Sequence, residues 1–361
     1  MGEPKTYTLE APGAVLHYDV RDGGAGHPVL LLVGAPMGAS GFAALAGQFA
    51  DRMVVTYDPR GTGRSQRTDG EPPGSVPGEH ADDLRRLIRA VDAGPADIFG
   101  SSGGAVNALA LVARHPRLVG TLVAHEPPAA RELPDREPVL AACADIRETY
   151  QRSGFGPAMA KFIVLVSYSG PLPGGYGDQP APDPAAFGLP AEDDGSRNDP
   201  LVGQNIMSCH RYQHDSGALR AASARVVIAV AAESSTMTAR RAAVAVAERL
   251  GTTPATFPGG HDGSPAANTA GRAIRTPPPP PCARSSPADS LPPPRRSPAP
   301  SARSSRTAAG EGQDTAKCAN RPDRTTSATG VSGFRLSGGV RAQCVIGHRD
   351  GPGRAVPVCA A

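Results

Sequence analysis

The residues with the clearest chemical potential lie in the stretch 97–104, where an apolar run ends in Gly100, Ser102 and Gly104, spaced as Gly-x-Ser-x-Gly. A serine hydroxyl is a poor nucleophile until a neighbouring base takes its proton. Glycine on both sides lets a strand turn into a helix so sharply that the serine is held in a strained backbone conformation. That turn would lift the Ser102 hydroxyl above a sheet and aim the Gly103 N–H at a developing oxyanion. In a chain with 43 glycines the bare spacing is weak. The strand-like run before it and the helix-like run 105–115 after it supply the context the motif requires.

The chemistry also needs a base and an acid. Of nine histidines, His261 is the best placed: it follows a short predicted strand and sits in a Gly-flanked loop, 258–263. His17 and His27 precede the main strands, His80 and His115 lie on or beside helices where packing suffices to explain them, and His348 is remote. Two carboxylates close predicted strands, Glu126 after 119–124 and Glu233 after 225–231.

These groups must be positioned by a scaffold. Segments 6–9 and 15–20 read as an antiparallel pair around Pro12-Gly13. Continuous apolar runs at 28–33, 53–57, 97–99, 119–124 and 225–231 have the character of buried parallel strands, and 255–257 is a short last one. Helices are predicted at 40–49, with Ser40 as N-cap, at 79–91, with Leu84, Leu87, Ile88 and Val91 on one face, and at 238–250. Strands alternating with helices predict a mostly parallel, doubly wound α/β sheet. Ligands on such a sheet sit beyond the carboxyl ends of the strands. Segment 127–224 breaks the rhythm with helix-like runs at 139–152, 157–167 and 205–212 around a Pro/Gly/Asp-rich middle, and reads as an inserted helical cap. Met159, Phe162, Met207 and Tyr212 are either pocket-lining or plain cap packing, and packing is the preferred reading.

The division expected is a core at 1–126, the cap at 127–224, the core resumed at 225–263, and a Pro/Ser/Arg-rich tail at 264–361 that reads as disordered. The chain carries a net charge of +3, but residues 277–361 hold 12 Lys+Arg and 5 Asp+Glu, against 37 and 34 for the whole chain. The body is therefore mildly acidic, and nucleic acid is not an expected partner. No Cys-x-x-Cys spacing occurs and the body holds only Cys143 and Cys209. No zinc or other metal site and no cofactor are expected, and a reducing cytoplasm fits. Residues 1–7 do not read as a signal peptide, and no run approaches the roughly 20 apolar residues of a membrane span.

Taken in order, Val33-Gly34-Ala35-Pro36, Asp58-x-Arg60-Gly61-x-Gly63-x-Ser65, Gly100-x-Ser102-x-Gly104, His125-Glu126-Pro127-Pro128 and Gly260-His261 resemble the α/β-hydrolase fold superfamily over about residues 8–263. The resemblance implies a catalytic triad in the chain order nucleophile, acid, histidine. It implies Ser102 as nucleophile, His261 as base, and an oxyanion hole from the N–H groups of Gly103 and Ala35. Val33 stands where the corresponding loop of the superfamily has His. The usual acid position corresponds to Glu233, and some branches use the position of Glu126. Glu233 is preferred, with Glu126 as the alternative. Asp58, Arg60 and Gly61 are read as a structural loop under the site. A serine at the elbow, rather than a carboxylate, implies acyl transfer on a small ester, thioester, lactone or amide. Two other readings compete: an impaired α/β-hydrolase that binds a small ligand or partner, and a peptidase like the proline iminopeptidases, whose Gly-Gly-x-Gly turn is Gly-Ala-Pro-Met here. Members of the superfamily continue past the histidine into a helix. The abrupt change of composition after residue 263 suits a reading-frame shift in a GC-rich gene.

Overall fold

The computed structural model describes residues 3–70, 76–92, 94–234 and 236–261. The expectations for 264–361 lie outside the described residues. Strands β1 (Lys5–Ala11) and β2 (Ala14–Arg21) form the hairpin expected, in the register Ala11↔Ala14. Its turn holds Gly13 at φ 71°, where an added Cβ would lie 2.5 Å from Asp69 Oδ2, so glycine meets both demands.

The rest of the sheet is β3 (Leu30–Val33), β4 (Val54–Tyr57), the two-residue β5 (Gln66–Arg67), β6 (Ala96–Ser101), β7 (Val119–His125), β8 (Arg225–Ala231) and β9 (Ala255–Phe257). The strand order is β1-β2-β4-β3-β6-β7-β8-β9, with β5 against β2. From β4 to β9 along that path every neighbour is parallel. Successive residues of a strand face opposite sides, which is why the apolar runs are continuous. Leu31 and Val33 belong to one core, with Ile98, Leu122 and Ile228. Leu30 and Leu32 belong to the other, with Phe99, Val123 and Phe257.

Helices α2 (Pro77–Ala90), α3 (Gly103–Arg114) and α8 (Thr238–Leu250) cover the first face, through Leu84, Leu87 and Ile88, through Ala105 and Leu109, and through Ala243 and Val246. The helix expected at 40–49 is instead a 3₁₀ turn (Ala39–Phe42) and a single turn, α1 (Ala43–Ala46). Ser40 caps nothing. The Ala39 N–H donates at 2.8 Å to Asp58 Oδ1, a carboxylate brought by the loop after β4.

Segment 127–224 holds α4 (Arg136–Ser153), α5 (Phe155–Ser167), α6 (Ile206–Arg211) and α7 (Ser216–Ala221). A π-helical turn, Leu201–Asn205, leads into α6, so the helix expected from residue 205 begins in a wider coil. Val139, Ile146, Tyr150, Met159, Phe162, Val202 and Met207 share a separate apolar cluster. Packing therefore accounts for Met159, Phe162 and Met207. Leu219 of α7 and Ala224 join the core of the sheet instead, and Tyr212 packs against that core. Within this segment the helical cluster thus ends before α7, and Ala242 of α8 joins it from the sheet side.

Candidate active site

Strand β6 ends at Ser101 and α3 begins at Gly103, leaving Ser102 alone in the turn at φ 53°, ψ −124°. An L-residue pays for a positive φ, so the turn survives only where neighbours hold it. The Ser102 N–H donates at 2.9 Å to the His125 carbonyl at the end of β7. The glycines are needed for contact as much as for conformation. A Cβ on Gly104 would lie 2.2 Å from the Val33 carbonyl oxygen, and one on Gly100 2.9 Å from Ala105 Cα.

His261 stands over this turn. Its Nε2 is 3.3 Å from Ser102 Oγ, and its Nδ1 is 2.6 Å from Glu126 Oε2. A carboxylate accepts, so Nδ1 carries the proton there and Nε2 is left to accept from the serine. The acid beside His261 is Glu126. The carboxylate that meets His261 is thus Glu126 and not the preferred Glu233, which is exposed and whose backbone N–H is spent on the Gly259 carbonyl at 3.0 Å. Strands β7 and β8 are adjacent and parallel, so both carboxylates leave the same sheet edge. What separates them is the backbone. Glu126 has φ 44°, turns inward, and is fully buried.

Glu126 is held by three donors. Ala231 N–H donates to Oε1 at 2.8 Å, Ser234 Oγ to Oε2 at 3.0 Å, and His261 Nδ1 to Oε2. Burial works against the charge most strongly, but the hydrogen bond and charge of His261, with the Ala231 N–H, outweigh it and hold the carboxyl below its ordinary range. Ser234 carried no recognisable signal in the sequence, since its role depends on a contact 108 residues away.

The backbones of Gly103 and Ala35, the two expected oxyanion donors, lie close together. Gly103 is the first residue of α3, so its N–H has no intrahelical acceptor. A Cβ on Gly103 would come 2.4 Å from the Ala35 carbonyl oxygen and 3.1 Å from Cys209 Sγ of α6. The loop carrying Ala35 is braced by Asp58, which accepts from Ala39 N–H and from Arg64 N–H and Nε at 3.1 and 2.7 Å. This carboxylate ties the two loops beneath the site, in keeping with a structural reading of the 58–65 loop. Arg60 grips Asp83 with two bonds, at 2.7 and 2.6 Å, below that loop.

Helix α6 approaches the turn through Cys209. Burial pushes the Cys209 thiol up to about 12, so it offers no competing thiolate. His210 donates Nδ1–H to the Ile206 carbonyl at 2.7 Å, and burial, with a contribution from His261, brings its imidazole down to about 4. It is neutral at pH 7. No cluster of metal-binding side chains occurs among the described residues. Nor is any described helix long and apolar enough to cross a membrane.

Residues 27–162 match the family model described as the alpha/beta hydrolase fold. An uncharacterized hydrolase of Bacillus subtilis, YraK, is 42% identical over 121 residues, 33% of this chain and 44% of that protein. A 2-(acetamidomethylene)succinate hydrolase of Mesorhizobium japonicum is 33% identical over 107 residues, 29% of this chain and 37% of that protein. The chain thus spans less than half the length of these curated relatives. A thermophilic esterase from Thermogutta terrifontis superposes with a TM-score of 0.52 at 19% identity, covering 76% of this chain and 96% of that one. At that identity the likeness speaks for the fold alone. The parallel sheet, the partial match to the family model and the structural likeness together show that the chain has the α/β-hydrolase fold.

Proposed function

We propose that the chain is a serine hydrolase that cleaves a small ester, thioester, lactone or amide through an acyl-enzyme. The observation that carries this reading is the continuous contact from Ser102 Oγ through His261 to the buried Glu126. In the first step the serine proton passes to His261 Nε2 while Oγ bonds to the substrate carbonyl carbon. Glu126 stabilises the resulting imidazolium through Nδ1–H. The carbonyl oxygen takes up the negative charge against the N–H groups of Gly103 and Ala35. When the intermediate collapses, the bond to the leaving group breaks and His261 returns the proton to it. Water then attacks the acyl-serine by the same route and restores Ser102. A neutral His210 adds no second charge beside the imidazolium.

The test is covalent labelling with a fluorophosphonate, followed by turnover of p-nitrophenyl esters of increasing chain length. Labelling of the wild-type chain that disappears in Ser102→Ala is the expected result. A folded wild-type chain that is neither labelled nor active on esters or amides would overturn the proposal.

A further inference from the structure

His125 is fully buried one residue before Glu126, and it lies next to Ser102 and His261 as well. Its carbonyl holds the Ser102 N–H, and its Nδ1 lies 3.5 Å from the hydroxyl of Ser101. Its ring is nearly parallel to three others: Phe99 at a centroid distance of 6.0 Å and 24°, Phe257 at 6.2 Å and 18°, and His261 at 6.2 Å and 25°. These are offset-stacking distances.

His261 needs such a surface. Its chain neighbours Gly259 and Gly260 have no side chains to pack, and Gly259 sits at φ 97°. A loop of this kind leaves the imidazole plane to be set by what the ring itself meets. Glu126 fixes one edge, but a single hydrogen bond still permits rotation about its axis. The phenyl rings of Phe99 and Phe257 lie nearly parallel to the ring of His125. That plane in turn faces His261.

We propose that His125 is a positioning residue for His261. Its flat ring, braced by Phe99 and Phe257, sets the imidazole plane so that Nδ1 meets Glu126 and Nε2 meets Ser102 together. The inference rests on the serine-hydrolase reading for its kinetic consequence and on geometry alone for its structural one. The flat aromatic face is the operative feature, so the role survives replacement by phenylalanine and not by leucine, which fills volume without presenting a plane.

The experiment compares His125→Phe and His125→Leu with the wild-type chain, by p-nitrophenyl acetate turnover and by crystal structures. Phe is expected to keep kcat within about threefold, and Leu to lose about tenfold with KM unchanged, because orientation and not binding is disturbed. In the Leu crystal structure the His261 ring should rotate away from Glu126 or Ser102. If Leu leaves the ring where it is, or if both variants behave alike, the proposal is overturned. Should the Leu variant fail to fold, Phe alone decides: retention supports the proposal and loss overturns it. An inactive wild-type chain would sink the serine-hydrolase reading, while the ring orientation in the two crystal structures would still judge His125.

Discussion

Replacing Glu126 by glutamine removes one charge from a fully buried position and keeps the shape. The carboxylate now accepts three bonds on two oxygens, and glutamine has one acceptor oxygen. If that oxygen stays on the Ala231 N–H, the amide nitrogen faces His261. Nδ1 must then accept, the imidazole proton moves to Nε2, and the base cannot take the serine proton. A tautomer error of this kind costs on the order of 10⁴ in kcat, about 5 kcal/mol. Turning the amide over restores the tautomer but leaves the buried Ala231 N–H against an NH₂ group, at about 1–3 kcal/mol. The counter-charge for the imidazolium is still missing. The net expectation is a loss of at least about 100-fold in kcat for Glu126→Gln. Glu233→Gln should stay within about twofold, because that side chain is exposed. Both are read by p-nitrophenyl acetate turnover on chains shown to be folded by circular dichroism. Glu126→Gln activity within about threefold of wild type, or an equal loss at Glu233, would refute the reasoning.

Other expectations follow from the same contacts. Because the Glu126 carboxyl is held below its ordinary value, its stabilising contribution is complete above that value and is lost as pH falls through the depressed one; melting temperature should therefore drop below pH 4.5 in the wild type and fall less steeply in Glu126→Gln. Arg60→Ala leaves Asp83, whose side chain is 1% exposed, without its guanidinium, and should cost about 3 kcal/mol in urea unfolding, the lower end for a broken buried pair because burial already raises the Asp83 carboxyl and lets it take up a proton. Gly103→Ala puts a methyl group against the Ala35 carbonyl and should separate the two oxyanion donors, lowering kcat by about 100-fold while KM changes little.

Much of the scaffold was legible because its determinants are local. Strand β8, helix α8 and strand β9 fall on the residues expected, since a continuous apolar run, a 3.6-residue pattern and flanking Gly or Pro act within a few residues of chain. The elbow was legible for the same reason: only glycine fits where Val33 and Ala105 crowd the turn. The helix expected at 40–49 was not: the chain there forms a 3₁₀ turn and a single α turn, and no proline in the local pattern marks the change. Nothing local marks His125 for a stacking role, because the rings it faces come from β6, β9 and the loop after β9.

The sequence by itself pointed to a parallel sheet with a Gly-x-Ser-x-Gly turn, a histidine after its last strand and two carboxylates at the ends of two strands. Only the tertiary structure brings one of those carboxylates, Glu126, against His261. Glu126 and Glu233 have the same chemistry and equivalent places in the pattern. The choice between them is made by a left-handed backbone at residue 126 and by a contact with His261 across 135 residues of chain, and no local pattern of residues encodes either.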